Sequence, residues 1–172
     1  IGVGNTLATG IVMATLVAAV ILMATTLLNI GVGQSMAAQQ AWLTQQQRLG
    51  GQIRIASTSG AQGGGASTLT VNVVNDGSIA YRKTNQIDVI VRYTNVTGNL
   101  EVKRLTYSST GPGNNEWNIT AIAPDVFNPG MWDPSEQATF SIKVVLPIKN
   151  NTNATVVVVA PGGALDSANV AM

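Results

Sequence analysis

The chain contains neither cysteine nor histidine. Thiol nucleophiles, disulfides, imidazole bases and nearly every zinc or copper site are therefore excluded at once. What remains for chemistry is eight carboxylates spread over loops and strands. Asp125, Asp133 and Glu136 are the one group close enough in sequence to share a loop cation such as calcium, and a turn acid beside solvated acids is the plainer reading. Gly63-Gly64-Gly65 and Gly162-Gly163 lack the lysine and helix context of a phosphate loop. Trp42, Trp117 and Trp132 read as packing residues. No catalytic residue, metal site or cofactor is assigned, and the chain is expected not to be an enzyme. Four Asn-x-Ser/Thr sequons, at Asn95, Asn118, Asn150 and Asn153, are candidates for N-glycosylation.

The charge pattern says more. Only 10% of residues are charged, against about 25% in an average soluble domain. Residues 1–47 carry no charge at all, so all nine basic and eight acidic residues follow from Arg48 onward. A net charge of +1 without a basic run gives nucleic acid no footprint. From Leu7 to Val32 the sequence is apolar, interrupted only by Thr, Gly and Asn, and its run Ile11–Ala24 is apolar on every face of a helix, so the segment must be buried in lipid or among other helices. It is long enough to cross a bilayer. Helix formers continue through Gln34–Leu49, which predicts a helix over about residues 4–49, roughly 70 Å long, within an N-terminal element of residues 1–50. Gly31 and Gly33 are its weak point, and Gly50-Gly51 is its stop. The chain starts at Ile1 with an apolar stretch and no basic leader, which suggests that a leader is cut just before it.

Beyond Ile53 the period changes to two. Leu69, Val71 and Val73 alternate with Thr70 and Asn72, Ile87, Val89, Val91 and Tyr93 with Asp88, Ile90 and Arg92, and Phe140, Ile142, Val144 and Leu146 with Ser141, Lys143 and Val145. Val156–Val159 is a continuous branched run suited to a strand covered on both faces. Breakers fall at Ser59–Gly65, Asn75–Ser78, Gly111–Gly113, Asn128–Gly130 and Pro161–Gly163. Asp76-Gly77 is a tight-turn pair. Seven or eight short strands in residues 53–172 predict an immunoglobulin-like antiparallel β-sandwich. The expected fold class is therefore α+β: a long N-terminal hydrophobic helix (1–50) followed by that sandwich (53–172).

A sandwich of this size cannot cover such a helix alone. Identical helices from many copies can, with Gly10, Ala14, Ala18, Ala19 and Ala24 allowing close approach. Leu7, Ile11, Leu16, Val20, Ile21, Leu27 and Leu28 are the expected polymerisation core.

The start Ile1-Gly-Val-Gly-Asn-Thr-Leu, the apolar run behind it, Val71-Asn-Val-Val-Asn-Asp-Gly-Ser-Ile and the turn Asn128-Pro-Gly…Asp133-Pro-Ser-Glu resemble the archaellins of the type IV pilin-like superfamily. Asn5 stands where bacterial type IV pilins usually carry glutamate, which favours the archaeal type. The resemblance implies a structural subunit that homopolymerises into an archaellum-type motility filament outside the cell, passing through the cytoplasmic membrane before assembly. It also implies Ile1 as the processed N-terminus, a prepilin-type peptidase and an ATP-driven assembly machine. Two alternatives are an adhesive archaeal type IV pilus subunit and a membrane-anchored envelope or stator protein with an Ig-like domain.

Overall fold

The computed structural model describes Trp42 and residues 50–172. Eight strands follow one another in the order β1 (Ile53–Gly63), β2 (Ala66–Asn75), β3 (Asp88–Thr94), β4 (Leu100–Tyr107), β5 (Glu116–Ala123), β6 (Gln137–Val145), β7 (Asn153–Val159) and β8 (Leu165–Ala171). A single 3-10 turn, Thr84–Gln86, interrupts them. The strands form one sheet in the order β1-β2-β6-β5-β4-β3-β7-β8.

That sheet folds over on itself. Its two terminal strands meet, with the Ile55 amide donating to Asp166 Oδ2 at 2.7 Å and Thr58 Oγ1 donating to the Asn169 carbonyl at 3.1 Å. One wall is β1-β2-β6-β5 and the other β4-β3-β7-β8. The walls are joined through a two-residue pair, Thr106 with Glu116 and Tyr107 with Trp117. This pair is parallel, whereas every other ladder is antiparallel.

The core lies between the walls. Leu69, Val71 and Val73 from β2 and Phe140, Ile142 and Val144 from β6 are fully buried. They face Val89, Val91 and Tyr93 from β3 and Val156 and Val158 from β7, which belong to the same buried cluster. Trp117 stacks on Phe140 with ring centroids 5.4 Å apart. Period-two patterning produces this arrangement because alternate side chains of a strand point to opposite faces. Each large apolar side chain so buried stabilises the fold by about 1.5–3 kcal/mol.

The expected α+β class is corrected. Among the described residues the fold is all-β, no α-helix stands among the named elements, and no helix is long and apolar enough to cross a membrane. The helix expected over residues 1–50 falls almost wholly outside the described residues, as do its polymerisation residues Leu7, Ile11, Leu16, Val20, Ile21, Leu27 and Leu28. An uncharged apolar run reports only that a segment must be buried; it does not by itself dictate what the rest of the chain builds.

Four local expectations also change. Ser59–Gly65 is not a break, since β1 continues to Gly63 and pairs it with Ala66. The alternation of β6 ends at Val145, because Leu146 turns to φ +64° and is exposed. Val157 and Val159 are only half-buried, so β7 is covered fully on one face and not on both. Trp42 is 59% exposed, unlike the buried Trp117 and Trp132.

Candidate interaction surface

The loop from β5 to β6 carries the three carboxylates with the best sequence claim to a cation. Asp125 accepts from the Gly130 amide through both carboxylate oxygens at 3.2 Å. Asp133 Oδ2 accepts from Asn128 Nδ2 at 3.1 Å, and Glu136 Oε2 accepts from the Asp133 amide at 2.9 Å. Asp133 and Glu136 are buried and Asp125 is exposed. Each carboxylate thus caps a backbone or amide N–H of its own loop, as turn acids do. No group of three possible metal ligands forms among the described residues.

The same loop is pinned from inside by Asn75, at the end of β2. Its Nδ2 donates to the carbonyls of Ile79 (2.8 Å) and Trp132 (3.1 Å), and its Oδ1 accepts from the Gly77 amide (3.2 Å). Its backbone donates to the Glu136 carbonyl and accepts from the Ser135 amide. Trp132 Nε1 donates to the Glu136 carbonyl at 2.9 Å, and Trp132 also bridges to Tyr81. Among the described residues the Tyr81 hydroxyl is buried without a partner, and burial pushes its pKa above the ordinary phenol value. Next to this corner is a hollow of about 260 Å³ lined by residues 79–83, Gln86, Pro161 and Gly162.

On this braced frame the β5–β6 loop presents Val126 and Phe127 to solvent, 68% and 74% exposed. An aromatic side chain held out on a hydrogen-bonded loop costs little further entropy when a partner covers it.

The opposite end of the sandwich carries a second set. β4 reverses the usual alternation. Leu100 and Val102 point outward, 60% and 63% exposed, while Glu101 and Lys103 are the half-buried neighbours. Glu101 Oε1 accepts from Asn95 Nδ2 at 3.2 Å, and Lys103 Nζ donates to the Val145 carbonyl at 3.4 Å. Tyr93 donates its hydroxyl to the same carbonyl at 3.0 Å, and burial first, then the nearby Glu101 carboxylate, pushes its pKa up. Because β4 pairs with β5 over two residues only, most of it is an edge, and inward charges on an edge strand discourage promiscuous strand addition. Val96 and Leu146, 49% and 43% exposed, are drawn to this end by the Asn95–Ile148 bridge and the Val96 amide to Pro147 carbonyl bond.

These apolar residues did not emerge from the sequence as a site. Two signals were available: the apolar pair Val126-Phe127 between prolines 124 and 129, and charge on the inward positions of β4. Of the sequons, Asn95 is buried, Asn118 half-buried, and Asn150 and Asn153 exposed. Ile1, the expected processed N-terminus, lies outside the described residues.

Comparison with known proteins accounts for this domain. Residues 51–166 match the family described as conserved flagellar protein F, immunoglobulin-like domain. No curated protein matches the chain by sequence. Among solved structures, the archaeal flagellum of Methanospirillum hungatei superposes with a TM-score of 0.63 at 13% identity, over 96% of this chain and 92% of that one. This likeness establishes a shared fold. The archaellum periplasmic stator complex FlaF and FlaG from Sulfolobus acidocaldarius gives a TM-score of 0.49 at 17% identity, over 69% of this chain and 87% of that one. The FlaG stator protein from the same organism gives 0.49 and 17%, over 69% and 98%.

The archaellum association implied by the N-terminal resemblance therefore holds, but the family matched is not the archaellins. The two strand-turn segments that suggested an archaellin, at Val71–Ile79 and Asn128–Glu136, lie inside the matched Ig-like domain, where they brace β2 against the β5–β6 loop. Through that domain the chain belongs to the conserved flagellar protein F family.

Proposed function

We propose that this chain is a stator-type envelope component of the archaellum, and not the subunit that polymerises into the filament. The family match over residues 51–166 carries the reading. In it, the Ig-like domain is a rigid binding module without enzymatic activity, in keeping with a chain that has neither cysteine nor histidine. Its contacts are made by the outward apolar residues at the two ends of the sandwich, Val126 and Phe127 at one and Val96, Leu100, Val102 and Leu146 at the other. Residues this apolar on a low-charge surface support binding to protein partners. The uncharged residues 1–47 hold the domain at the cytoplasmic membrane.

The test is to shear surface filaments from cells and follow the chain. Retention with the cell envelope supports the proposal, and recovery in the sheared fraction as its main protein refutes it. The filament-subunit reading stays second because one observation favours it: an uncharged stretch of 47 residues is long enough for copies to bury against one another. The same shearing decides between the two.

A further inference from the structure

The four sequons are not equivalent once folded. Asn95 is 2% exposed. Its Oδ1 accepts from the Thr97 amide (3.0 Å), Thr97 Oγ1 (2.7 Å) and the Asn99 amide (3.0 Å), and its Nδ2 donates to Glu101. A sugar on that nitrogen would have to fit where the side chain is almost wholly covered, so a chain modified there cannot adopt this fold unchanged. Asn118 lies within β5, paired with Ser141 of β6, and its carboxamide oxygen is buried without a partner. Its side chain is half-buried on the face of β5 opposite Trp117, which leaves a transferase less access to it than to an exposed carboxamide.

Asn150 and Asn153 differ on every count. Both side chains are exposed, and no hydrogen bond among the described residues holds either carboxamide. Their backbone, by contrast, is fixed. Asn151 takes a left-handed φ of +56°. The Asn151 amide donates to the Met172 carbonyl, and the Met172 amide to that of Thr152. Thr152 Oγ1 donates to the Lys149 carbonyl at 2.5 Å. Asn153 opens β7 opposite Ala171. Two exposed carboxamides thus flank a pinned turn, at the end of the sandwich away from Ile53, where β1 begins.

We infer that the β6–β7 turn is the glycan-bearing site of this domain, modified at Asn150, Asn153 or both, while Asn95 and Asn118 stay bare. The reaction is transfer from a lipid-linked glycosyl phosphate donor. The Asn Nδ2–sugar C1 bond forms and the C1–O bond to the lipid phosphate breaks. The phosphate leaves with the electron pair, and Nδ2 gives up one proton. The inference rests on the proposed placement of the domain outside the cytoplasmic membrane.

The experiment is intact-mass and glycopeptide analysis of the full chain purified from its own host, beside N150Q, N153Q and the double variant. The wild-type chain is expected to exceed its bare mass and the double variant to return to it. A bare wild-type chain, or a double variant that keeps its glycan, overturns the inference. Protease shaving of intact cells reads the location separately. A chain that is shaved but bare loses only the glycan, whereas a chain that is both bare and protected also removes the envelope placement.

Discussion

Asn75 shows how one polar side chain can position a loop. Three hydrogen bonds from its carboxamide tie the end of β2 to Gly77, Ile79 and Trp132 with no access to water. Asn75→Ala leaves the Gly77 N–H and the Ile79 carbonyl without this partner, while the Trp132 carbonyl keeps the Tyr81 amide, and a loss of about 1–3 kcal/mol is expected by urea denaturation. Tyr81, packed on the same corner with its hydroxyl unpaired, points the other way. Tyr81→Phe removes a buried group that has no partner and is expected to be neutral or stabilising by about 1 kcal/mol. It also changes the alkaline limb. A phenol whose pKa is raised in the folded state leaves stability intact below its unfolded value of about 10 and lowers it as pH climbs beyond. Denaturation followed from neutral to high pH should therefore fall less steeply for the variant. Neither residue's role could be read from sequence: Asn75 appeared only as the start of a turn, because the partners that make it a hub are up to 57 residues away.

At the scale of elements, the strands that were legible are those with one face in the core. β2, β3 and β6 each carry an unbroken apolar alternation, and Leu69–Val73, Val89–Tyr93 and Phe140–Val144 are buried as that pattern requires. β1 was obscured by its composition. The polar and glycine residues from Ser59 to Gly63 look like a loop, and they form a strand because β2 supplies partners along the whole hairpin. β4 was obscured by its reversed pattern, with charges turned inward to Asn95 and Val145 and aliphatics turned outward. That reversal makes a prediction. Leu100→Glu and Val102→Lys remove no buried contact, so stability should stay within about 0.5 kcal/mol. If β4 contacts other archaellum components as proposed, co-purification of the full chain with them should drop sharply. Unchanged co-purification with both substitutions would remove β4 from the interaction surface.

Across the whole molecule, composition and chemistry divide at Arg48. The charged part forms a closed-over Ig-like sandwich whose core is continuous and whose two ends present apolar side chains. Seven or eight strands were expected there and eight are present. The function was legible only to the level of the archaellum. An apolar N-terminal stretch suits a filament subunit and a membrane-held accessory equally well, since lipid and packed copies are both apolar surroundings, and the strand-turn segments that suggested an archaellin belong to the domain that matches flagellar protein F.

The two roles differ in where the copies sit. Immunogold labelling with antibody raised against residues 53–172, on intact cells carrying filaments, separates them directly. Gold is expected at the cell surface around filament bases with bare shafts; continuous labelling along the shafts would contradict the stator-type role.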